Sequence, residues 1–180
     1  MIIESKKNVQ VNFRRLCLED LENLFDYLQR LSADTKKKFG PHPFDKQTII
    51  DFYKNTNQHL GYVAEVFLTK EIIAYFIIKI GFLEHDRFRL QSYGLILDNS
   101  TDSTFAPSVS DLWQSYGIGN ELLNFIKSDL KAKGITRIIL WGGVQSENEK
   151  ALNYYKRNGF KELGEFENNG HNYDMILDNF

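Results

Sequence analysis

"WQSYGIGNELL", residues 113–123, decides how this chain is read. Gly117 and Gly119 flank Ile118, and an apolar helical pattern follows at once. A turn needs one residue without a side chain. A second at this spacing leaves the backbone bare where a helix begins, so that a bulky group can come close. The first N–H groups of a helix have no partner within it, and the helix dipole adds positive character there. Phosphate or diphosphate is the group such a place favours. Ser115, Tyr116, Gly117, Ile118, Gly119 and Asn120 are therefore a candidate anion cradle. A glycine-rich turn with no ligand fits this stretch equally well when it is read alone. Two familiar phosphate motifs do not fit. Leu122 stands where a dinucleotide fingerprint needs its third glycine, and no Gly-Lys-Ser/Thr follows for a P-loop.

Outward from this point the periodicities alternate. Gly119 to Lys133 places Leu122, Leu123, Ile126 and Leu130 on one side and Lys127, Asp129 and Lys131 on the other, and Gly134 stops the pattern. "RIILW" (137–141) is apolar on both faces, as a central strand is. Ser146-Glu147-Asn148-Glu149 has the form of a capping box, which predicts a helix from there to about Asn158, closed by Gly159. Phe160 to Phe166 and Tyr173 to Leu177 read as strands around "ENNG". Upstream, Val9 to Arg15 alternates as a strand, and Leu18 to Leu31 carries a leucine face of helical spacing. Gly40, Pro41 and Pro43 mark a loop, and Asp45 to Tyr53 a shorter helix. Leu60 to Phe67 and Glu71 to Ile80 predict a hairpin turning at Thr69-Lys70. "DRFRLQSYG" reads as a short helix stopped by Gly94 or as an extra strand, the helix being favoured. Thr104 to Ser110 predicts a strand made irregular by Pro107. The order is that of a single mixed α/β domain over 1–180, with a crossover helix after the fourth strand.

A chain of 180 residues with 42% hydrophobic and 26% charged residues reads as an ordinary globular protein. A net charge of -2 leaves no basic face for nucleic acid. Lys36-Lys37-Lys38 reads as a solvated helix end. Cys17 is the single cysteine, so no internal disulfide forms; between Leu16 and Leu18 it reads as a buried structural thiol. The start turns polar at Glu4, unlike a secretory leader, and the longest apolar run, Ile72 to Ile78, is far below the ~20 residues of a membrane helix. The expectation is a cytoplasmic protein without membrane or nucleic-acid partners. His42, His59, His85 and His171 have no paired ligand spacing, so no metal is expected.

The second signal is "NEKALNYYKRNGF" (148–160), which sets Ala151 and Tyr155 on one helical face. Together the two stretches resemble the GNAT superfamily of N-acetyltransferases. Gln114 to Gly119 matches its Q/R-x-x-G-x-G/A signature, and Asn148 to Phe160 its N-x-x-A-x-x-x-Y-x-x-x-G-F segment. The resemblance covers about 104–177, and reaches the first half only through a compatible order of elements. It implies a mixed, mostly antiparallel sheet with flanking helices and splayed central strands. It also implies acetyl-CoA as acetyl donor. The diphosphate would lie on the Ser115 to Asn120 backbone, with Gln114 in the signature. The pantetheine arm would lie along Ala106 to Ser110, with the Val109 amide near the acetyl carbonyl. Asn148 would help hold the arm, and Tyr155 would lie near the sulfur. Phe82 to Ser103 looks like an insertion.

Acyl transfer to an amine needs a neutral amine, a donor to the oxyanion and a proton for the departing thiolate. A tyrosine hydroxyl supplies such a proton, which gives Tyr155 the catalytic role; Tyr154 points about 100° away and reads as packing. Glu65, His85 and Asp111 are candidates for the base by position alone, each also readable as an ordinary surface residue. Phe39, Phe44, Phe52, Tyr53 and Phe82 suit either an apolar acceptor pocket or an aromatic core. The acceptor is an amine of a small molecule or protein, and the chain a monomer or homodimer. A non-catalytic acyl-CoA-binding module is the rival reading.

Overall fold

The computed structural model describes residues 1–54 and 58–180. They form two compact units, Met1–Ile78 with Ala106–Asp129, and Lys79–Phe105 with Leu130–Phe180.

In the first unit, β1 (Ile2–Glu4) pairs antiparallel with β2 (Gln10–Arg15), and β2 with β3 (His59–Val66). β3 turns back into β4 (Ile72–Ile80) through Val66 N–H to Glu71 O and Lys70 N–H to Val66 O, with Lys70 at φ 59°. From Ile72 to Ile78 every side chain of β4 is buried, the pattern of a central strand. α1 (Leu21–Arg30) buries the stripe Leu21, Leu24, Tyr27 and Leu28. It begins three residues later than the leucine pattern suggests, and Leu18 is exposed. The reason is local: Asp20 Oδ2 accepts from the Cys17 N–H at 2.9 Å, which winds Leu18–Asp20 into a tight 3₁₀ turn first. The same carboxylate and Glu65 share Arg14, at 2.6 and 2.5 Å. α2 (Ala33–Lys38), capped by Ser32, ends in the triple lysine, as the sequence suggested. α3 (Lys46–Lys54) follows.

In the second unit, β5 (Asp102–Val109, which starts here and ends in the first unit) runs parallel to β6 (Arg137–Leu140) from Asp102 to Phe105. β9 (His171–Asp178) pairs antiparallel with β6, with β7 (Val144–Gln145) and with β8 (Lys161–Glu167). α5 (Ile118–Lys131), which belongs to the first unit as far as Asp129, is the crossover helix between β5 and β6 in sequence, and α6 (Glu149–Arg157) of the second unit precedes β8. The segment 82–103 contains α4 (Arg87–Ser92), stopped by Gly94 at φ +83°, the helix of the two readings the sequence allowed. Leu90 of α4 joins Phe82, Ile139 and Ile176 in the core, and Arg89 fastens it to Asp174 of β9 at 2.7 Å. A Cβ on Gly164 would fall 2.4 Å from the Tyr93 ring, so any side chain at this strand position requires that ring to shift.

Candidate active site

The glycine pair lies in the first unit. β5 ends at Val109, and the chain passes through a 3₁₀ turn, Asp111–Trp113, before α5 begins at Ile118. The Ser110 N–H donates to Ile73 O on β4 at 2.9 Å. Alternation along a strand therefore turns the Val109 N–H and C=O to the opposite edge. There the Gln114 amide closes on the Val109 carbonyl at 3.1 Å, tying the signature's first residue to the end of the strand. On the β6 side the last rung is Trp141 N–H to Phe105 O at 2.9 Å. Pro107 is the next β5 residue whose backbone faces that edge, and it has no N–H to continue the ladder.

Ser115 sits at φ +67° and Gly117 at φ +87°, with Tyr116 between them at negative φ. Alternating signs of φ are the backbone pattern of an anion-binding nest. Ser115 and Tyr116 are exposed, and a Cβ on Gly117 would meet only Lys6 Cε, at 3.9 Å. Gly117 O accepts from Asn120 N–H and Glu121 N–H at 3.0 and 3.2 Å, making Gly117 the cap of α5. Gly119 is helical, in the first turn. An exposed loop with this φ pattern at the start of a helix fits a diphosphate.

Asn148 and Tyr155 lie in the second unit. Asn148 is the N-cap of α6, its Oδ1 accepting from Ala151 N–H at 3.3 Å. The capping box anticipated at Ser146 does not form. Val144 and Gln145 are still paired with β9, and Ser146 N–H donates to His171 O at 2.9 Å, so the chain is extended where that box would start a helix. Tyr155 is 7% exposed and packs on Phe160 at 5.3 Å between ring centroids. Its hydroxyl has no hydrogen-bond partner among the described residues, and burial alone pushes it well above the ordinary tyrosine value. It stays protonated at any physiological pH. Tyr154 contacts the Tyr155 ring edge-on at 5.4 Å and is half-buried.

The three candidate bases are all engaged. Glu65 is 3% exposed and held by Arg14 and by Asn12 Nδ2 at 3.0 Å; against the pull of desolvation these hydrogen bonds keep its carboxyl below the usual value. Asp111 accepts from Ser32 N–H, Ser32 Oγ and Thr35 Oγ1 at 3.0, 2.9 and 2.7 Å, which fastens it to the start of α2. His85 sits in the segment 82–103, 3.7 Å from Asp86.

Phe39, Phe44, Phe52 and Tyr53 gather in the first unit around His42, and Phe82 belongs to the core of the second. Within the cluster His42 Nδ1 meets Pro43 O at 2.8 Å, Nε2 meets Tyr75 Oη at 3.2 Å, and Tyr75 Oη bonds to Tyr53 Oη. Desolvation lowers the His42 pKa, so the imidazole is neutral and the chain is a satisfied polar core rather than a charge. Cys17 corrects the sequence reading: it is exposed, at the rim of a cavity of about 250 Å³ shared with Arg15, Tyr53 and His59. Its thiol donates to Asp20 at 3.0 Å, and that bond and partial burial push its pKa up to about 11, so it is no nucleophile at neutral pH. Sequence reasoning missed one other contact, in the first unit. Lys7, far from the loop in sequence, donates to Leu112 O at 2.6 Å and lies 4.5 and 4.3 Å from the Trp113 and Tyr116 ring centroids.

The chain belongs to the acetyltransferase (GNAT) family, whose model matches residues 25–160, both motifs included. Solved structures share its fold. The GNAT domain of S. lividans PAT superposes with a TM-score of 0.77 at 18% identity, over 99% of this chain and 96% of that one. The ribosomal-protein-S18-alanine N-acetyltransferase of Escherichia coli gives 0.63 at 18%, over 94% of each chain. An aminoglycoside acetyltransferase solved with coenzyme A and kanamycin gives 0.66 at 17%, over 93% and 94%. A search of curated proteins finds no match. The mixed, mostly antiparallel sheet with flanking helices is that of the family. Among the described residues no helix is long and apolar enough to cross a membrane.

Proposed function

We propose that residues 1–180 work as one cytoplasmic domain that transfers the acetyl group of acetyl-CoA to an amine. The observation that carries this is the anion-nest pattern of φ within Ser115 to Asn120, in a member of a family of acetyltransferases. The diphosphate lies on that loop and takes N–H groups from Ser115 to Ile118, the Asn120 N–H being used on Gly117 O. The arm runs beside Ala106 to Ser110, where Pro107 leaves the strand edge without a donor and Val109 supplies one, to the oxyanion. The amine nitrogen attacks the thioester carbon, the C–S bond breaks, the nitrogen gives up one proton to water, and the sulfur gains one from Tyr155, which takes a proton back from water. Tyr155 donates to the sulfur as charge develops on it. Burial makes a full tyrosinate costly, so its proton moves as the bond breaks rather than before. Asn148 offers the arm its amide N–H, because its oxygen is used on the helix.

The acceptor is a small-molecule or protein amine. Relatives of this fold include an enzyme named for a ribosomal-protein alanine and one solved with kanamycin, which spans that range. The test is release of free CoA thiol across a panel of amines, alongside a binding titration. Acceptor-dependent release supports the enzyme; tight acetyl-CoA binding with no release from any amine supports an acyl-CoA-binding module.

A further inference from the structure

The geometry of the first unit points to a phosphate clamp built from the β1–β2 turn. We propose that Lys6 delivers its ammonium to the diphosphate of acetyl-CoA. The inference rests on the reading of Ser115 to Asn120 as the diphosphate cradle, and adds a residue from a distant part of the chain.

The turn is fixed from within. Ser5 N–H donates to Val9 O and Asn8 N–H to Ser5 O, both at 2.9 Å, and Asn8 takes φ 56°. Ser5 is buried, and its Oγ accepts from the N–H groups of Lys7 and Val9 at 3.4 and 3.3 Å. Lys7 fixes the turn from without. Its ammonium is used on Leu112 O and on the faces of Trp113 and Tyr116, so it anchors the turn to the loop.

Lys6 is left over. It is exposed, and its ammonium has no hydrogen bond or ion pair among the described residues. Its Cε lies 3.9 Å from the point that a Cβ on Gly117 would occupy. The Lys6 side chain thus ends beside a loop whose alternating φ is the pattern of an anion nest. Two kinds of donor meeting at one solvent-facing spot recognise an anion of more than one charge. A diphosphate offers enough oxygens for both.

Titration calorimetry of the full chain with acetyl-CoA tests this. Lys6→Gln weakens binding by about tenfold, the scale of one charge-assisted hydrogen bond discounted for exposure. Lys6→Arg keeps most of the affinity. The slope of log Kd against log salt becomes shallower in Lys6→Gln, which loss of a merely structural residue does not produce. The thermal midpoint is unchanged, because the side chain is exposed. The same loss is expected with acetyl-dephospho-CoA, which lacks only the 3′-phosphate. Wild-type affinity in Lys6→Gln overturns the clamp and leaves the cradle standing. A loss seen with acetyl-CoA but absent with the dephospho form overturns the assignment to the diphosphate. No binding by the unaltered chain overturns the cradle, and the clamp with it.

Discussion

The loop Gln114 to Asn120 in the first unit offers backbone, and α6 in the second offers side chains. In the loop, what matters is φ: +67° at Ser115 and +87° at Gly117 give the pattern of an anion nest, and Ser115 and Tyr116 are exposed. In α6 the backbone is an ordinary helix, and the proposed contributors are one buried hydroxyl and one cap amide. The two are vulnerable in opposite ways. An anion nest is spoiled by added atoms, a side-chain site by removed ones. Substitutions chosen on that principle separate the two contributions.

The largest effect is expected from removing one atom. Tyr155→Phe keeps the ring against Phe160 and deletes the hydroxyl, which has no partner to orphan among the described residues. Folding stability should hardly change. Acid catalysis is worth about 10²–10⁴-fold, so kcat should fall by roughly that much, with acetyl-CoA affinity nearly constant. Tyr154→Phe in the same helix is the control and should retain most activity. Single-turnover kinetics on both variants, with one acceptor that turns over, checks this. Wild-type chemistry in Tyr155→Phe would mean that water protonates the sulfur.

Adding atoms to the loop should act on binding instead. Gly117 is a poor place to do so, since any side chain there is strained at φ +87° and the fold would suffer too. Gly119 is helical, so its backbone suits alanine, which removes glycine's entropic penalty of up to about 1 kcal/mol. Gly119→Ala should therefore hold or raise the thermal midpoint while acetyl-CoA binding weakens by about tenfold or more, and Gly119→Val should weaken it further. Stability and affinity moving in opposite directions is the signature of a backbone cradle. If both variants bind like the wild type, the diphosphate does not lie on this turn.

The same contrast explains what the sequence could and could not reveal. α5 and β6 were legible because their burial follows a local period, 3.6 on one and both faces on the other. Gly94 and Gly134 end helices at positive φ, which composition alone signals. The motif residues were legible because the resemblance is concentrated in two short stretches. What escaped depends on distant partners. β7 is two residues long and exists only because β9 holds it, and that pairing also displaces the helix start from Ser146 to Asn148. β1 is three residues long and stands on β2 alone. Cys17 looks buried between two leucines until Asp20 winds the turn that exposes it. Lys7 is legible only once the β1–β2 turn has been set against Leu112.

The smallest expected effect tests the residue where both kinds of contribution meet. Asn148 has two ends. Its Oδ1 caps α6 through Ala151 N–H, and no hydrogen bond from its Nδ2 is formed among the described residues. Asn148→Asp keeps the oxygen and removes the donor. An aspartate is as good a cap and suits the helix dipole, so stability should be equal or slightly higher. Asn148→Ala removes both ends and should cost about 1 kcal/mol of stability. If the amide N–H serves the pantetheine arm, both variants weaken acetyl-CoA binding by a similar few-fold, a factor of about 5 for one neutral hydrogen bond. Thermal melts and binding titrations on the pair settle which end matters. Should Asn148→Asp bind as the wild type does while Asn148→Ala loses stability, Asn148 is a helix cap and nothing more, and the side-chain contribution of α6 narrows to Tyr155.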